Sequence, residues 1–340
     1  MQRRLHITLF VVLSLALLLV SVADLMLGTT LIPLDDIWRV LAGESTNLNY
    51  QKIILDLRLP KIVVALLAGA ALAVSGLEMQ TLFRNPLAGP YVLGINSGAS
   101  LGVALFTLSA PVMGLVSGSL FMRVGLTGMA WIGSALILLM VMALSRKIKS
   151  VSTILIIGMM LGSAISAVVG VLQYMGSDES LKAFVVWTMG SLSTVTRGDI
   201  WVFAPAIILG LVLSVSVIKP LNMLLLGESY ARTMGLHVTR SRLIIFLSTT
   251  LLAGSVTAFC GPIGFIGLAM PHLARLTFRT ADHRVLLPAT MLWGALSMVL
   301  CALLSDLVAH SSVVLPVNTI TALLGVPIII FVVIRNRNRQ

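Results

Sequence analysis

Residues 58–84 read RLPKIVVALLAGAALAVSGLEMQTLFR. From Ile62 to Leu77 the stretch is built of Ile, Val, Leu, Ala and Gly with a single Ser, and charge returns only at Glu78 and Arg84. A bilayer-crossing helix needs about 20 predominantly apolar residues, and this segment supplies them between basic ends. The fold class turns on how often the chain repeats that pattern.

Moving outward, the Gly/Pro and charge breaks delimit ten apolar runs at 5–28, 60–82, 91–108, 117–144, 151–175, 198–217, 241–261, 263–278, 285–307 and 316–334. The expected fold is an all-α polytopic membrane protein of about ten transmembrane helices, one transmembrane domain over residues 1–340. The run at 263–278 is the weakest: Gly261-Pro262-Ile263-Gly264 leaves almost no loop before it and Pro271 interrupts it, so a short or tilted helix is expected. Arg3, Arg4 and the run after them resemble a secretory leader, but the run is long for one and more spans follow, so an uncleaved first span is expected.

Composition agrees. The 340 residues are 58% hydrophobic and 10% charged, with a mean hydropathy of +1.05, whereas a soluble domain is about half apolar and about a quarter charged. The net charge of +11 does not point to nucleic acid, because its placement follows the spans. Arg3, Arg4, Arg84, Arg146, Lys147, Lys149, Lys219, Arg232, Arg240, Arg242, Arg275, Arg279, Arg284, Arg335, Arg337 and Arg339 fall on one side, 16 in all, against 7 on the other: Arg39, Lys52, Arg58, Lys61, Arg123, Lys182 and Arg197. The positive-inside bias then makes both termini cytoplasmic, in a multi-pass protein of a bacterial cytoplasmic membrane. Cys260 and Cys301 lie inside apolar runs and read as buried free thiols.

Residues 66–76, LLAGAALAVSG, are echoed at 251–261, LLAGSVTAFCG, on runs of opposite direction. Inverted repeats of transporters leave such a trace. The chain has no Gly-Lys pair, hence no Walker-type phosphate loop, and no HExxH. Acids at mid-membrane, the mark of ion-coupled carriers, are scarce: Asp24, Glu78 and Asp306 fall near span ends, where an interface is within reach, and read as structural or capping groups. A transporter without its own energy source needs another subunit to supply it.

The longest inner loop, 219–240, reads KPLNMLLLGESYARTMGLHVTR. Pro220 is expected to end the sixth span, Glu228–Met234 to form a short helix with Gly235 as its C-cap, and a second short segment to precede the seventh span. An amphipathic interfacial loop is the plainer alternative.

GESYARTMGL resembles the Glu-x-x-Ala-x3-Gly coupling motif of importer permeases that dock on an ATPase dimer. With RLPKIVVALLAGAALAVSG (58–76), Gln80 and RNPLAGPYVLG (84–94), SGAS (97–100), GPIGFIGLAMPHLAR (261–275), DHRVLLP (282–288) and the closing LPVNTITALLGVPIIIFVV, the chain is identified as a member of the FecCD type. These are the permease subunits of type II ABC importers for iron-siderophore, haem and vitamin B12 uptake.

The resemblance implies a ten-helix permease working as a homodimer, with two ATP-binding subunits below it and a substrate-binding protein above. The chain would bind no cofactor, ATP and Mg residing on the ATPase, and would be no enzyme itself. Gly227, Glu228, Ala231, Arg232 and Gly235 match the coupling segment. Arg58 and Lys61 match basic residues that hold the binding protein, and His310 stands where the family often has Arg. That departure weakens a third contact, since an unperturbed His is mostly uncharged above about pH 6.5. The alternative for Arg58 and Lys61 is snorkelling to headgroups. Asn85 and Leu87 resemble the cytoplasmic gate and Ser152 and Thr153 its second strip, with helix capping as the alternative for the latter pair. Gln173, Tyr174, Met175 and Trp187 are candidates to line the outer mouth. Methionines, 17 in all, suit a wide, adaptable pathway.

The expected cargo is a metal chelate, ferric siderophore or haem, with vitamin B12 as the alternative. An ATP-independent carrier would want buried acids and no coupling loop. An intramembrane enzyme would want a mid-depth His, Asp or Ser cluster, and the sequence offers none.

Overall fold

The computed structural model describes residues 2–28, 30–44, 47–109, 119–148, 150–308 and 315–337, and all its regular elements are helical. In chain order these are α1 (Gln2–Met26), α2 (Leu34–Leu41), α3 (Leu48–Leu82), α4 (Ile95–Ser109), α5 (Ser119–Lys147), α6 (Val151–Met175), α7 (Asp178–Thr188), α8 (Arg197–Ser216), α9 (Ile218–Leu224), α10 (Glu228–Thr233), α11 (Val238–Cys260), α12 (Ile266–Phe278), α13 (His283–Val308) and α14 (Val317–Arg337). Each of the ten apolar runs is met by a helix. Among the described residues, seven helices are long and apolar enough to cross a bilayer, with α4 and α14 shorter. The weak run yields the 13-residue α12, with Pro271 inside it.

Helix α3 starts a dozen residues ahead of the expected Pro60. Asn47 caps it, its side chain accepting from the N–H groups of Asn49 (3.0 Å) and Tyr50 (3.3 Å). Proline inside a helix clashes with the carbonyl four residues back and donates nothing. Here a π-helical stretch, Ile53–Arg58, widens the turn just before Pro60 and carries the helix through it. A second π-helical stretch, Thr250–Gly254, lies within α11.

The backbone forms two compact units. The first comprises Met1–Val74, Ser191–Pro205 and Gly264–Gln340. In it, α3 and α13 meet at Gly69 and Gly294: a Cβ on either would run into the other's carbonyl, so only glycine permits this approach. Phe10 of α1 lies 4.7 Å, ring to ring, from Phe278 of α12. The second unit comprises Ser75–Gly190 and Ala206–Ile263. Its α4 and α5 pack in the same way through Gly98 and Gly133. Its core gathers Met79, Leu93, Ile137, Ile154, Leu221, Ala231, Val238 and Phe246.

The buried acids differ from expectation. Glu78 is fully buried in the second unit, accepting from Ser248 Oγ (2.9 Å) and Thr249 Oγ1 (2.8 Å). Asp24 is fully buried in the first. Neighbouring helices supply the partners, which is why position along a span did not reveal their depth.

Candidate functional site

The coupling segment belongs to the second unit. The break after α8 falls at Val217, and Pro220 sits in the first turn of α9, where its missing N–H costs nothing. The helix-turn-helix is therefore α9–α10, and α11 follows directly at Val238 with no further short helix between.

Both ends of α10 are fixed by glycine. Gly227 precedes it at φ +103° and Gly235 follows at φ +85°. The Leu236 N–H donates to Ala231 O and the Gly235 N–H to Arg232 O, each at 3.0 Å, and Leu236 packs on the core. This is the Schellman closure, which needs a left-handed residue at the glycine position.

Ala231 is fully buried, so its small side chain seats α10 on the chain's own core. Glu228 also turns inward: Arg242 of α11, itself buried, binds its carboxylate through both Nε (3.1 Å) and Nη2. Ser229, Tyr230, Arg232, Thr233 and Met234 are left exposed. The candidate coupling residues thus divide in two, with Gly227, Glu228, Ala231 and Gly235 building the helix and Arg232 on its outward face.

The 84–94 segment lies beside this turn. The Asn85 side chain accepts from the Leu87 N–H at 2.9 Å, closing an Asx turn, with Asn85 half-buried and Leu87 exposed. The Arg84 guanidinium comes close to Gly227, where a Cβ would stand 3.4 Å from its Nη1. Ala88 and Leu93 enter the same core as Ala231. The candidate gate and coupling residues are therefore brought together, with Arg84 and Arg242 as neighbours that the motif did not single out.

Ser152 and Thr153 are exposed in the first turn of α6, and its cap is Ser150, whose Oγ accepts from the Thr153 N–H at 3.3 Å. At the other end of α6 Tyr174 and Met175 are exposed and Gln173 is half-buried. Trp187 of α7 turns inward instead, its ring 6.2 Å from that of Phe184 and packed on a core with Ala99 and Val103.

Arg58 and Lys61 lie in the first unit, and both are buried. Arg58 donates to the carbonyls of Leu25 and Thr30, fixing the turn after α1. Lys61 Nζ donates to Asp306 Oδ2 (2.6 Å) and Asp24 Oδ1 (3.3 Å), tying α3 to α1 and α13. Snorkelling to headgroups is thus not their state, and both charges are committed within the chain. They border a cavity of about 300 Å³ together with Asp56, Ser193, Thr196 and Asp306. His310 lies outside the described residues.

The chain matches the FecCD transport family over residues 15–335. It is 38% identical to a hemin transport system permease protein of Yersinia pestis, over 89% of each chain. It is 35% identical to a vitamin B12 import system permease protein of Salmonella paratyphi A, over 98% of this chain and 97% of that one. A solved structure described as an inward-facing conformation of a metal-chelate type ABC transporter superposes with a TM-score of 0.83 at 32% identity, covering 96% of this chain and 99% of its own. Seven bilayer-length apolar helices and these likenesses agree: the chain is an ABC transporter permease and belongs to the FecCD transport family.

Proposed function

We propose that this permease imports a large metal chelate across the bacterial cytoplasmic membrane. Two copies would frame the pathway, two ATP-binding subunits would drive it, and a substrate-binding protein would deliver the cargo. ATP and Mg would be handled by the ATPase, with no catalytic site in this chain. Ten crossing helices would place both termini in the cytoplasm, in keeping with the charge distribution.

The observation that carries this reading is the shared core of α10 and the 84–94 segment. A rigid turn exposing Tyr230, Arg232 and Met234 offers a handle to an ATPase. A push on it reaches Asn85 and Leu87 through packed side chains. Interiors that dense transmit displacement because they cannot absorb it. Ser152 and Thr153 would complete the inner gate, and Gln173, Tyr174 and Met175 the outer mouth, with Trp187 packed behind it. Arg58 and Lys61 would serve binding-protein docking by holding its platform in shape, with His310 as the third docking residue.

Haem is the first cargo to test, because the hemin permease and the vitamin B12 permease both bear names of metal-bearing tetrapyrroles. Ferric siderophore follows. The experiment is uptake into proteoliposomes holding the permease and its ATPase, with binding proteins loaded with haem, cobalamin or ferric siderophore, with and without ATP. Accumulation of one cargo that requires ATP supports the proposal and names the substrate. Uptake indifferent to ATP and to binding protein would instead establish an ATP-independent carrier.

A further inference from the structure

Helix α2 has an apolar surface that the protein covers only in part. At about 100° per residue, Ile37 and Val40 share one side, and both are buried in a cluster with Ile32 and Ile54. Leu34, Trp38 and Leu41 form the adjoining sector and are 54%, 73% and 48% exposed. Leu31, just ahead of the helix, is also bare, at 70% exposed. Asp35, Asp36 and Arg39 occupy the sector opposite. Eight residues therefore divide into a protein-covered strip, a bare apolar strip and a charged strip.

We propose that the bare strip rests in the bilayer interface, making α2 an interfacial anchor whose partner is lipid. Three observations single out lipid. Helices α1 and α3, both of bilayer length and apolarity, bracket α2 within a few residues on each side, which keeps it near the membrane surface. Helix α1 itself presents bare apolar surface, with Leu15, Leu18 and Leu19 more than half exposed. Its most exposed member is Trp38, and tryptophan concentrates at the headgroup level because its ring is apolar while its N–H needs a polar partner. A helix with one apolar and one charged face settles about 5–10 Å into the headgroup–acyl boundary, which would cover Leu31, Leu34, Trp38 and Leu41 and leave Asp35, Asp36 and Arg39 in water.

The anchor also has something to hold. Its protein-covered face packs on Ile54, in the π-helical stretch that ends at Arg58, and Arg58 in turn binds the turn between α1 and α2. Lipid contact at Trp38 would fix the level of that stretch in the membrane.

The inference rests on α1 and α3 crossing the bilayer, and the test separates the two claims. Single cysteines would replace Leu34, Asp35, Trp38, Arg39 or Leu41, with Leu18→Cys in α1 as reference, and carry a spin label in phosphatidylcholine proteoliposomes. Native Cys260 and Cys301 are buried and would be spared. Collision with oxygen, which concentrates in hydrocarbon, is compared with collision with a water-soluble nickel chelate. The expected result is an oxygen-to-nickel ratio at 34, 38 and 41 shifted toward that at 18, with 35 and 39 shifted toward water. Oxygen exposure at 18 with nickel exposure at 34, 38 and 41 overturns the anchor while sparing the membrane reading. Nickel exposure at 18 overturns both. Nickel exposure at 38 that vanishes only when a binding protein is added assigns the strip to that soluble partner and likewise overturns the proposal. Trp38→Phe supplies an unlabelled check: it should reduce tryptophan quenching by brominated lipid, and unchanged quenching would count against lipid contact.

Discussion

At the level of single residues, Gly235 and Glu228 are fixed by different physics. Gly235 sits at φ +85° and donates its N–H to Arg232 O. Proline is locked near φ −65° and has no N–H, so Gly235→Pro removes both the geometry and the hydrogen bond that close α10. We expect the variant to insert in the membrane at normal levels yet lose co-purification with its ATPase and lose uptake; normal uptake would sink the coupling assignment. Glu228 is held by the buried Arg242. A hydrogen bond to a charged group contributes about 1.5–3 kcal/mol, and Glu228→Arg replaces it with like-charge repulsion. Loss of ATPase binding is expected there too. Pairing it with Arg242→Glu should restore part of the binding, and equal defects in single and double variants would argue against the pair.

Among elements, the joint of α1, α3 and α13 rests on one cation between two carboxylates. Lys61 and Asp24 are nearly or wholly buried, whereas Asp306 is partly exposed. Removing one member of a buried ion pair typically costs about 3–5 kcal/mol, because the remaining charge is stranded. Lys61→Met should therefore lower the melting temperature in detergent markedly. The triple change Lys61→Met, Asp24→Asn, Asp306→Asn should recover most of the loss, since replacing all members removes the stranded charges. A single variant as stable as the wild type would show that the joint lies elsewhere. Gly294 makes the neighbouring α3–α13 contact, where backbone meets backbone. A side chain there must push the helices apart.

For the whole molecule, the distribution of Lys and Arg is the measurable quantity. With 16 of them on one side and 7 on the other, a reporter fused after Gln340 should be active only in the cytoplasm. Activity on the outer side would overturn the ten-crossing proposal, because an even number of crossings from a cytoplasmic start must end where it began.

The sequence by itself determined the helical membrane class and the short helix at the candidate coupling site. Runs such as Ile62–Leu77, repeated about ten times with few charges between their ends, suit helices that satisfy their backbone polar groups within the segment. The Glu-x-x-Ala-x3-Gly spacing is local, so the short helix and its glycine stop were legible from residues 227–236. Only the tertiary structure decided which way side chains face and what meets them. Arg58 and Lys61 read as outward basic residues, yet Asp24 and Asp306, distant in sequence, draw Lys61 inward, and carbonyls of the Leu25–Thr30 turn claim Arg58. Glu78 read as a structural or capping group near a span end, and its partners, Ser248 and Thr249, come from α11. Pro60 read as a helix start until the π-helical stretch before it carried α3 through. Span membership follows from the average character of about 20 residues, which any window of sequence records. Burial of one polar atom depends on a partner brought from elsewhere in the chain, and that pairing exists only once the helices have packed.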